Sequence, residues 1–176
     1  MGQIVPVCVM VLCAVLYHST LEANALRYEI IIDRFEPFPN TDSSLLSFGT
    51  LRLSRKARNV FVVTGAFELF KNVDNDYKIS TELFFAQSTS PLFSSTSGAC
   101  DTMSSDNELL NRLRNVSNLP PPGTCPIKKG VYQIDDYVLD ENQLPVMAWK
   151  GTYKIVIKYI HNSEIKVGST WHFSIV

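Results

Sequence analysis

Two neighbouring segments decide the fold: NVFVVTGAFELF at residues 59–70 and YKISTELFF at residues 77–85. The first is apolar on both alternating faces, the second alternates apolar with polar residues, and both patterns are typical of β-strands. Residues 72–76 (NVDND) are mostly turn formers. The sequence therefore predicts a hairpin. Gly65 in its first strand predicts a β-bulge, or a close approach by another chain or a ligand.

Further β-type segments lie on both sides of this pair. Strands are expected at residues 28–35, 51–56, 130–139, 152–159 and 170–175, and Asn162-Ser163 is the expected turn of the last hairpin. Residues 87–97 are rich in Ser and Thr and are expected to form a loop.

One short helix is predicted between the two β-rich halves. Ser105 and Glu108 have the spacing of a capping box, and apolar residues follow at helical intervals from Leu109 to Val116. No βαβ alternation is present in the sequence. The predicted fold is therefore mainly all-β, an antiparallel two-sheet sandwich or cup with one short amphipathic helix.

The N-terminal residues have the pattern of a secretion signal. Residues 4–17 (IVPVCVMVLCAVLY) form an apolar run of about 14 residues, which is short for a membrane span of about 20. Small residues precede an expected cut after Ala25. We predict a signal peptide at residues 1–25 and a single secreted, extracellular domain at residues 26–176. An uncleaved buried helix or anchor is the alternative.

Charge excludes one class of partner. The chain has 16 Lys and Arg against 17 Asp and Glu, and loss of the predicted signal, which contains Glu22, would leave the two signs balanced. Such a domain has no electrostatic preference for nucleic acid or anionic lipid. No nucleic-acid partner and no stable membrane span are expected.

Two cysteines remain after the predicted cut, Cys100 and Cys125. In an oxidising compartment they are expected to pair with each other, and the alternatives are free thiols or an intermolecular bridge. Asn115 begins an Asn-Val-Ser sequon and is the candidate N-glycosylation site.

Catalytic patterns are missing from the sequence. His161 and His172 lie in a predicted turn and on a polar strand face, away from any nucleophile motif or metal-ligand spacing. We therefore expect no enzymatic activity, no metal and no cofactor. The basic residues Arg52, Arg55, Lys56 and Arg58 either meet an anionic partner or protect an edge strand from aggregation.

The apolar and aromatic content exceeds what a sandwich with one polar face needs. Residues 60–70 and 83–85 are apolar on both faces, so each must be covered by other elements or line a cavity. The candidate cavity-lining residues are Phe61, Phe67, Phe84 and Phe85.

The C-terminal half resembles a known family. Residues 125–134 (CPIKKGVYQI), followed by Asp140, Leu144-Pro145 and residues 150–154 (KGTYK), resemble the secreted insect chemosensory type B proteins. That group is distantly similar to the ganglioside-activator branch of the ML lipid-recognition fold. The resemblance implies a β-cup that binds lipid or hydrocarbon ligands without catalysis, with roles in contact chemoreception and pheromone response. Ganglioside activators carry several disulfides, so sphingolipid handling is not implied.

Two functions are therefore expected from the sequence. The first is a secreted carrier for a hydrophobic small molecule or lipid in chemosensory perception. The second is a secreted protein with a closed core that acts on a receptor or channel through its surface, with the basic segment around Arg55 as its contact.

Overall fold

The computed structural model describes residues 30–39, 42, 44–57, 60–138 and 149–176. The predicted signal peptide, Arg58, Asp140 and the Leu144-Pro145 motif lie outside these described residues.

The described chain is mainly β-structure with two short helices. Its elements in order are β1 (Ile30–Pro37), β2 (Leu46–Ser47), β3 (Arg52–Ala57), β4 (Val60–Leu69), β5 (Lys78–Phe85), β6 (Phe93–Gly98), α1 (Ala99–Ser104), α2 (Glu108–Asn115), β7 (Gly130–Val138), β8 (Gly151–His161) and β9 (Glu164–Ile175).

The strands form two antiparallel sheets. Sheet A has the order β1-β9-β8-β5-β6. In sheet B, β4 is central, with β2 and β3 along one edge and β7 along the other. The predicted antiparallel two-sheet architecture is confirmed. The closing hairpin is confirmed too, since β8 pairs with β9 across Asn162 and Ser163, both with positive φ.

The hairpin predicted between residues 59–70 and 77–85 is wrong. β4 belongs to sheet B and β5 to sheet A, so the chain crosses between the sheets at residues 70–77. Val73 in this crossing is buried and pairs with Ile127 through two backbone hydrogen bonds of 2.9 and 2.8 Å. Turn-forming residues specify a change of direction, whereas the partner of each strand depends on residues far away in the sequence.

The bulge predicted at Gly65 is confirmed. The register of β4 against β7 shifts between Val63 and Gly65, and Gly65 has φ +116°. A Cβ atom at this position would lie 2.3 Å from the carbonyl oxygen of Thr50. Gly65 therefore allows both an unusual backbone conformation and a close approach by the turn before β3.

Two local predictions need correction. Half of the expected loop at residues 87–97 is strand β6, which pairs with β5 as an edge strand, where Ser and Thr side chains remain solvated. The helical region contains two helices. Ser105 follows the first, and Asn107 caps the second by accepting a hydrogen bond from the Leu110 amide at 2.8 Å. The N-cap of the second helix is therefore Asn107, two residues after the predicted N-cap, Ser105.

Candidate functional site: the inner face of sheet A

The register of sheet A separates two chemically different faces. On the face turned toward sheet B, side chains of β5, β8 and β9 form rows across the sheet. One row contains Phe85, Tyr153 and Phe173, and the next contains Leu83, Ile155 and Trp171. This face, called the inner face below, is apolar and aromatic because alternate residues of each strand point the same way.

The opposite, outer face of sheet A is polar. Lys158 donates to both carboxylate oxygens of Glu82, at 2.8 and 2.9 Å. Lys154 lies over the ring of Phe84, 4.5 Å from its centroid. His172 is also on this face and contacts Glu36 at 3.3 Å. Charge pairs and a cation–π contact thus stabilise the outer face.

At one end the two sheets pack directly on each other. The buried residues there, called the core cluster, come from both sheets, from α1 and from the connecting segments. They are Leu45, Leu46, Leu69, Val73, Ile79, Ala99, Cys100, Ile127, Tyr132 and Val167. This end of the protein is a closed hydrophobic core.

The middle of the inter-sheet region is formed mainly by sheet B and α2. Its buried residues, called the middle cluster, are Val63, Ile134 and Tyr137. Trp171 of sheet A and Leu113 of α2 pack against them. Contact between the sheets therefore extends as far as Trp171.

Beyond Trp171 the inner face of sheet A forms a cluster of its own. Tyr153 and Ile175 are buried here, and the apolar side chains packed on them are Leu83, Phe85 and Phe173. All five residues, called the distal cluster, belong to sheet A. Within the described part of the chain, no apolar side chain of sheet B joins this cluster.

Aromatic contacts connect the distal cluster to an exposed tryptophan. Tyr153 lies between Phe173, with stacked rings 5.2 Å apart, and Phe85, in an edge-to-face contact at 5.1 Å. Phe85 in turn contacts Trp149 at 6.1 Å between centroids. Trp149 is 64% exposed. An aromatic path therefore leads from solvent to the inner face of sheet A.

The four phenylalanines predicted to line a cavity lie in different places. Phe85 belongs to the distal cluster, and Phe67 packs against both the core and middle clusters and stacks on Tyr132 at 5.3 Å. Phe61 is half-buried, directly opposite Arg55 of β3. Phe84 points to the outer face under Lys154. The structure thus places Phe67 and Phe85 in apolar clusters between or on the sheets and Phe84 on the outer face of sheet A.

The predicted disulfide is confirmed. Cys100 in α1 is bonded to Cys125, with 5.6 Å between their Cα atoms. α1 is further held by Asn75, which accepts from the Asp101 amide at 3.1 Å and donates to the Asp101 carboxylate at 2.8 Å. Arg114 of α2 donates to the carbonyl oxygen of Met103. These bonds fix both helices against the closed end of the inter-sheet region.

The candidate glycosylation site is accessible. Asn115 is exposed at the C-terminal end of α2, while Ser117 of the same sequon donates to the Leu113 carbonyl at 2.7 Å. Glycosylation of Asn115 stays a prediction.

The basic residues of β3 are occupied by local contacts. Lys56 pairs with Asp136 at 2.7 Å, and this bond holds the pKa of the Asp136 carboxyl below its usual range. Arg52 and Arg55 donate to backbone carbonyls two residues away. Because β3 is an edge strand of sheet B, this arrangement favours edge protection over an anion-binding surface.

A cleft of about 510 Å³ lies beside edge strand β1. It is open to solvent and lined by Phe35, Glu36, Pro37, Phe38, Pro39 and Thr170. None of the four predicted phenylalanines contributes to it. Because Glu36 and Thr170 belong to the polar outer face, the cleft differs in character from the inner face.

Among the described residues, no group of three or more His, Cys, Asp or Glu side chains has the arrangement of a metal site. No helix in the described ranges is long and apolar enough to cross a membrane.

The fold and this face define a class: a mainly antiparallel two-sheet protein with a closed core at one end and an apolar, aromatic sheet face at the other. Residues 67–155 match the family described as "Protein of unknown function (DUF1091)", and the chain belongs to that family. The match includes β5, α1, α2 and β7, and both cysteines of the disulfide. No curated protein matches the chain.

Proposed function

We propose that this protein is a secreted, non-enzymatic binding protein for a lipid or hydrocarbon-like molecule, with a role in chemosensory perception. The observation that carries the proposal is the distal cluster, whose apolar side chains all come from sheet A. Tyr153 and Ile175 of this cluster are already buried, but Leu83, Phe85 and Phe173 keep accessible surface, and covering it would contribute about 25 cal/mol per Å² of apolar surface. An apolar ligand held between the sheets beside Trp171 would provide that cover.

The expected chemistry of binding follows from the side chains. The two rows of the inner face offer aromatic rings and branched aliphatic groups, so the ligand is selected by shape and length, with few directional contacts. The exposed Trp149 and its contact with Phe85 provide an apolar route from the surface. Chemical transformation of the ligand is not part of the proposal.

Three further observations support the cellular setting. The Cys100–Cys125 disulfide suits an oxidising compartment, the N-terminal run of residues 4–17 has the pattern of a secretion signal, and the motif at residues 125–134 resembles that of chemosensory type B proteins. The same resemblance supports the comparison with ML lipid-recognition proteins and the assignment to pheromone response.

The test uses full-length protein secreted from insect cells. Native mass spectrometry is expected to show an additional mass that disappears under denaturing conditions. After removal of bound lipid on a hydrophobic resin, the hydrocarbon probe 1,6-diphenyl-1,3,5-hexatriene is expected to gain fluorescence with the folded protein and not with urea-unfolded protein. Protein that is purified empty and does not bind the probe would overturn the proposal and favour recognition of a receptor or channel through the surface.

A further inference from the structure

Each sheet has two edges, and the backbone groups of an edge strand can pair with another chain. Natural proteins protect such edges with charged side chains, proline, bulges or a covering segment. Edge strand β1 has an ion pair between Arg34 and Glu36 at 3.5 Å, a register shift, and Pro37 at its end. Edge strand β3 has Arg55, Lys56 and a register shift of its own. Both of these edges are therefore protected.

The free side of β7 is covered by the segment that follows α2. The Asp135 amide donates to the Val116 carbonyl at 2.7 Å, and the Asn118 amide donates to the Gln133 carbonyl at 3.3 Å. The Gln133 amide in turn donates to the side chain of Asn118 at 2.6 Å. The backbone groups of this third edge are thus occupied within the chain.

Edge strand β6 differs from the other three edges. Residues 83–100, which include β6, contain no Asp, Glu, Lys, Arg or His. The register of β6 against β5 is regular, and no proline lies within the strand. Phe93, Ser94, Ser95 and Thr96 are exposed. Within the described part of the chain, no loop or side chain bonds to the backbone of Ser94 or Thr96.

The register shows which backbone groups of β6 point away from β5. Ala99, directly after β6, donates to the Tyr77 carbonyl at 2.8 Å, so these two residues begin the hydrogen-bonded pairs. Hydrogen-bonded and non-bonded pairs alternate along an antiparallel ladder, and the register is unbroken along β6. Ser95 therefore bonds to β5, while Ser94 and Thr96 direct their N–H and C=O groups outward from the edge of sheet A.

We infer that β6 pairs antiparallel with β6 of a second copy of this chain, with Ser95 of one copy opposite Ser95 of the other. In this register, Ser94 of each copy lies opposite Thr96 of the second, and each such pair exchanges both of its N–H···O=C bonds. The two copies are related by a twofold axis, the commonest symmetry of soluble oligomers. Sheet A would continue from one copy into the other. The inference is independent of the ligand proposed above.

Charge favours a second copy over a charged partner. An edge without ionised side chains does not repel an identical edge, and it offers a charged partner no attraction. Phe93 is 55% exposed and in this register would lie opposite Ser97 of the second copy, which would cover part of its ring. Two short strands bury less than the roughly 1,200–2,000 Å² of a standard interface, so the dimer is expected to be weak and concentration-dependent.

The test is sedimentation velocity of the full-length protein over concentrations from micromolar to near millimolar. Wild type is expected to change from monomer to dimer in this series. Ser95→Lys places two like charges opposite each other and should weaken dimerisation about tenfold or more, and Ser95→Glu should do the same. An equimolar mixture of the two variants should dimerise again, because opposite charges then face each other. Thr89→Lys adds the same charge in the exposed loop before β6 and should leave dimerisation unchanged.

Amide hydrogen exchange of wild type gives a second measurement that needs no variant. The Ser94 and Thr96 amides should exchange more slowly as the protein concentration rises, whereas the Ser95 amide, already bonded to β5, should be protected at every concentration. Wild type that stays monomeric throughout would refute the second copy as the occupant of this edge and favour a strand of a different protein. A dimer that is unaffected by Ser95→Lys and Ser95→Glu, or is not recovered in their mixture, would refute the proposed pairing.

Discussion

Phe84 and Phe85 offer the sharpest comparison within this protein, because they are adjacent, chemically identical and on opposite faces of β5. Phe85 packs in the distal cluster against Tyr153 at 5.1 Å. Phe84 lies on the outer face under Lys154 at 4.5 Å. If the inner face binds the ligand, Phe85→Ala should weaken binding and Phe84→Ala should not.

The magnitude follows from the surface that each ring offers. Complete burial of a phenylalanine side chain contributes about 1.5–3 kcal/mol. The Phe85 ring already contacts its neighbours, so a ligand would cover about half of it, worth roughly 0.8–1.5 kcal/mol or about a four- to twelvefold change in Kd. Loss of the Phe84 cation–π contact should reduce stability by about 0.5–1 kcal/mol, without effect on binding.

The assay is titration of delipidated protein with diphenylhexatriene, together with urea denaturation of each variant. Both variants are expected to remain folded, and only Phe85→Ala should bind the probe more weakly. Equal effects of the two substitutions, or a larger effect of Phe84→Ala, would refute the assignment of the inner face as the binding surface.

Three further outcomes concern stability. Gly65→Ala should reduce the free energy of unfolding by about 1–3 kcal/mol or more, and by more than Gly123→Ala does. Both glycines have positive φ, but of the two only Gly65 has backbone atoms within 3 Å of the added Cβ. Equal losses in urea denaturation would contradict this. Replacing Cys100 and Cys125 together with serine should cost about 3–4 kcal/mol, the closure entropy of a loop of 25 residues; an unchanged unfolding midpoint would contradict it. Burial raises the pKa of Tyr159, so this hydroxyl loses its proton at a higher pH in the folded protein than in the unfolded protein. The stability that depends on the neutral hydroxyl is complete below about pH 10 and is lost as pH rises through the folded pKa. Tyr159→Phe should therefore lose less stability than wild type between pH 9 and 11; identical alkaline losses would contradict this.

Local sequence patterns predicted most strands, because alternation of apolar residues depends only on neighbours. The hairpin of β8 and β9 with its turn at Asn162-Ser163, the Gly65 bulge and the disulfide agree with the predictions. Membership of the two sheets was not predictable in the same way. The turn at residues 72–76 fitted a hairpin, but β4 and β5 do not pair with each other: one partner of each is close in the sequence, and the other, β7 or β8, lies more than 50 residues further along the chain.

The candidate site shows the same division between local and distant information. An apolar strand surplus was visible in residues 60–70 and 83–85. Which face of β5 is internal depends on the sheet to which it belongs, and for this reason the sequence could not separate Phe84 from Phe85.

The most direct test of the central claim is the position of a bound ligand. A crystal of the delipidated protein soaked with 1-bromododecane would reveal bromine by anomalous scattering. The expected result is a bromine peak in the inter-sheet region, in contact with Leu83, Phe173 or another side chain of the inner face of sheet A. A peak confined to the cleft beside Phe38, or none in a crystal that diffracts well enough to show one, would contradict the claim that this face binds an apolar ligand.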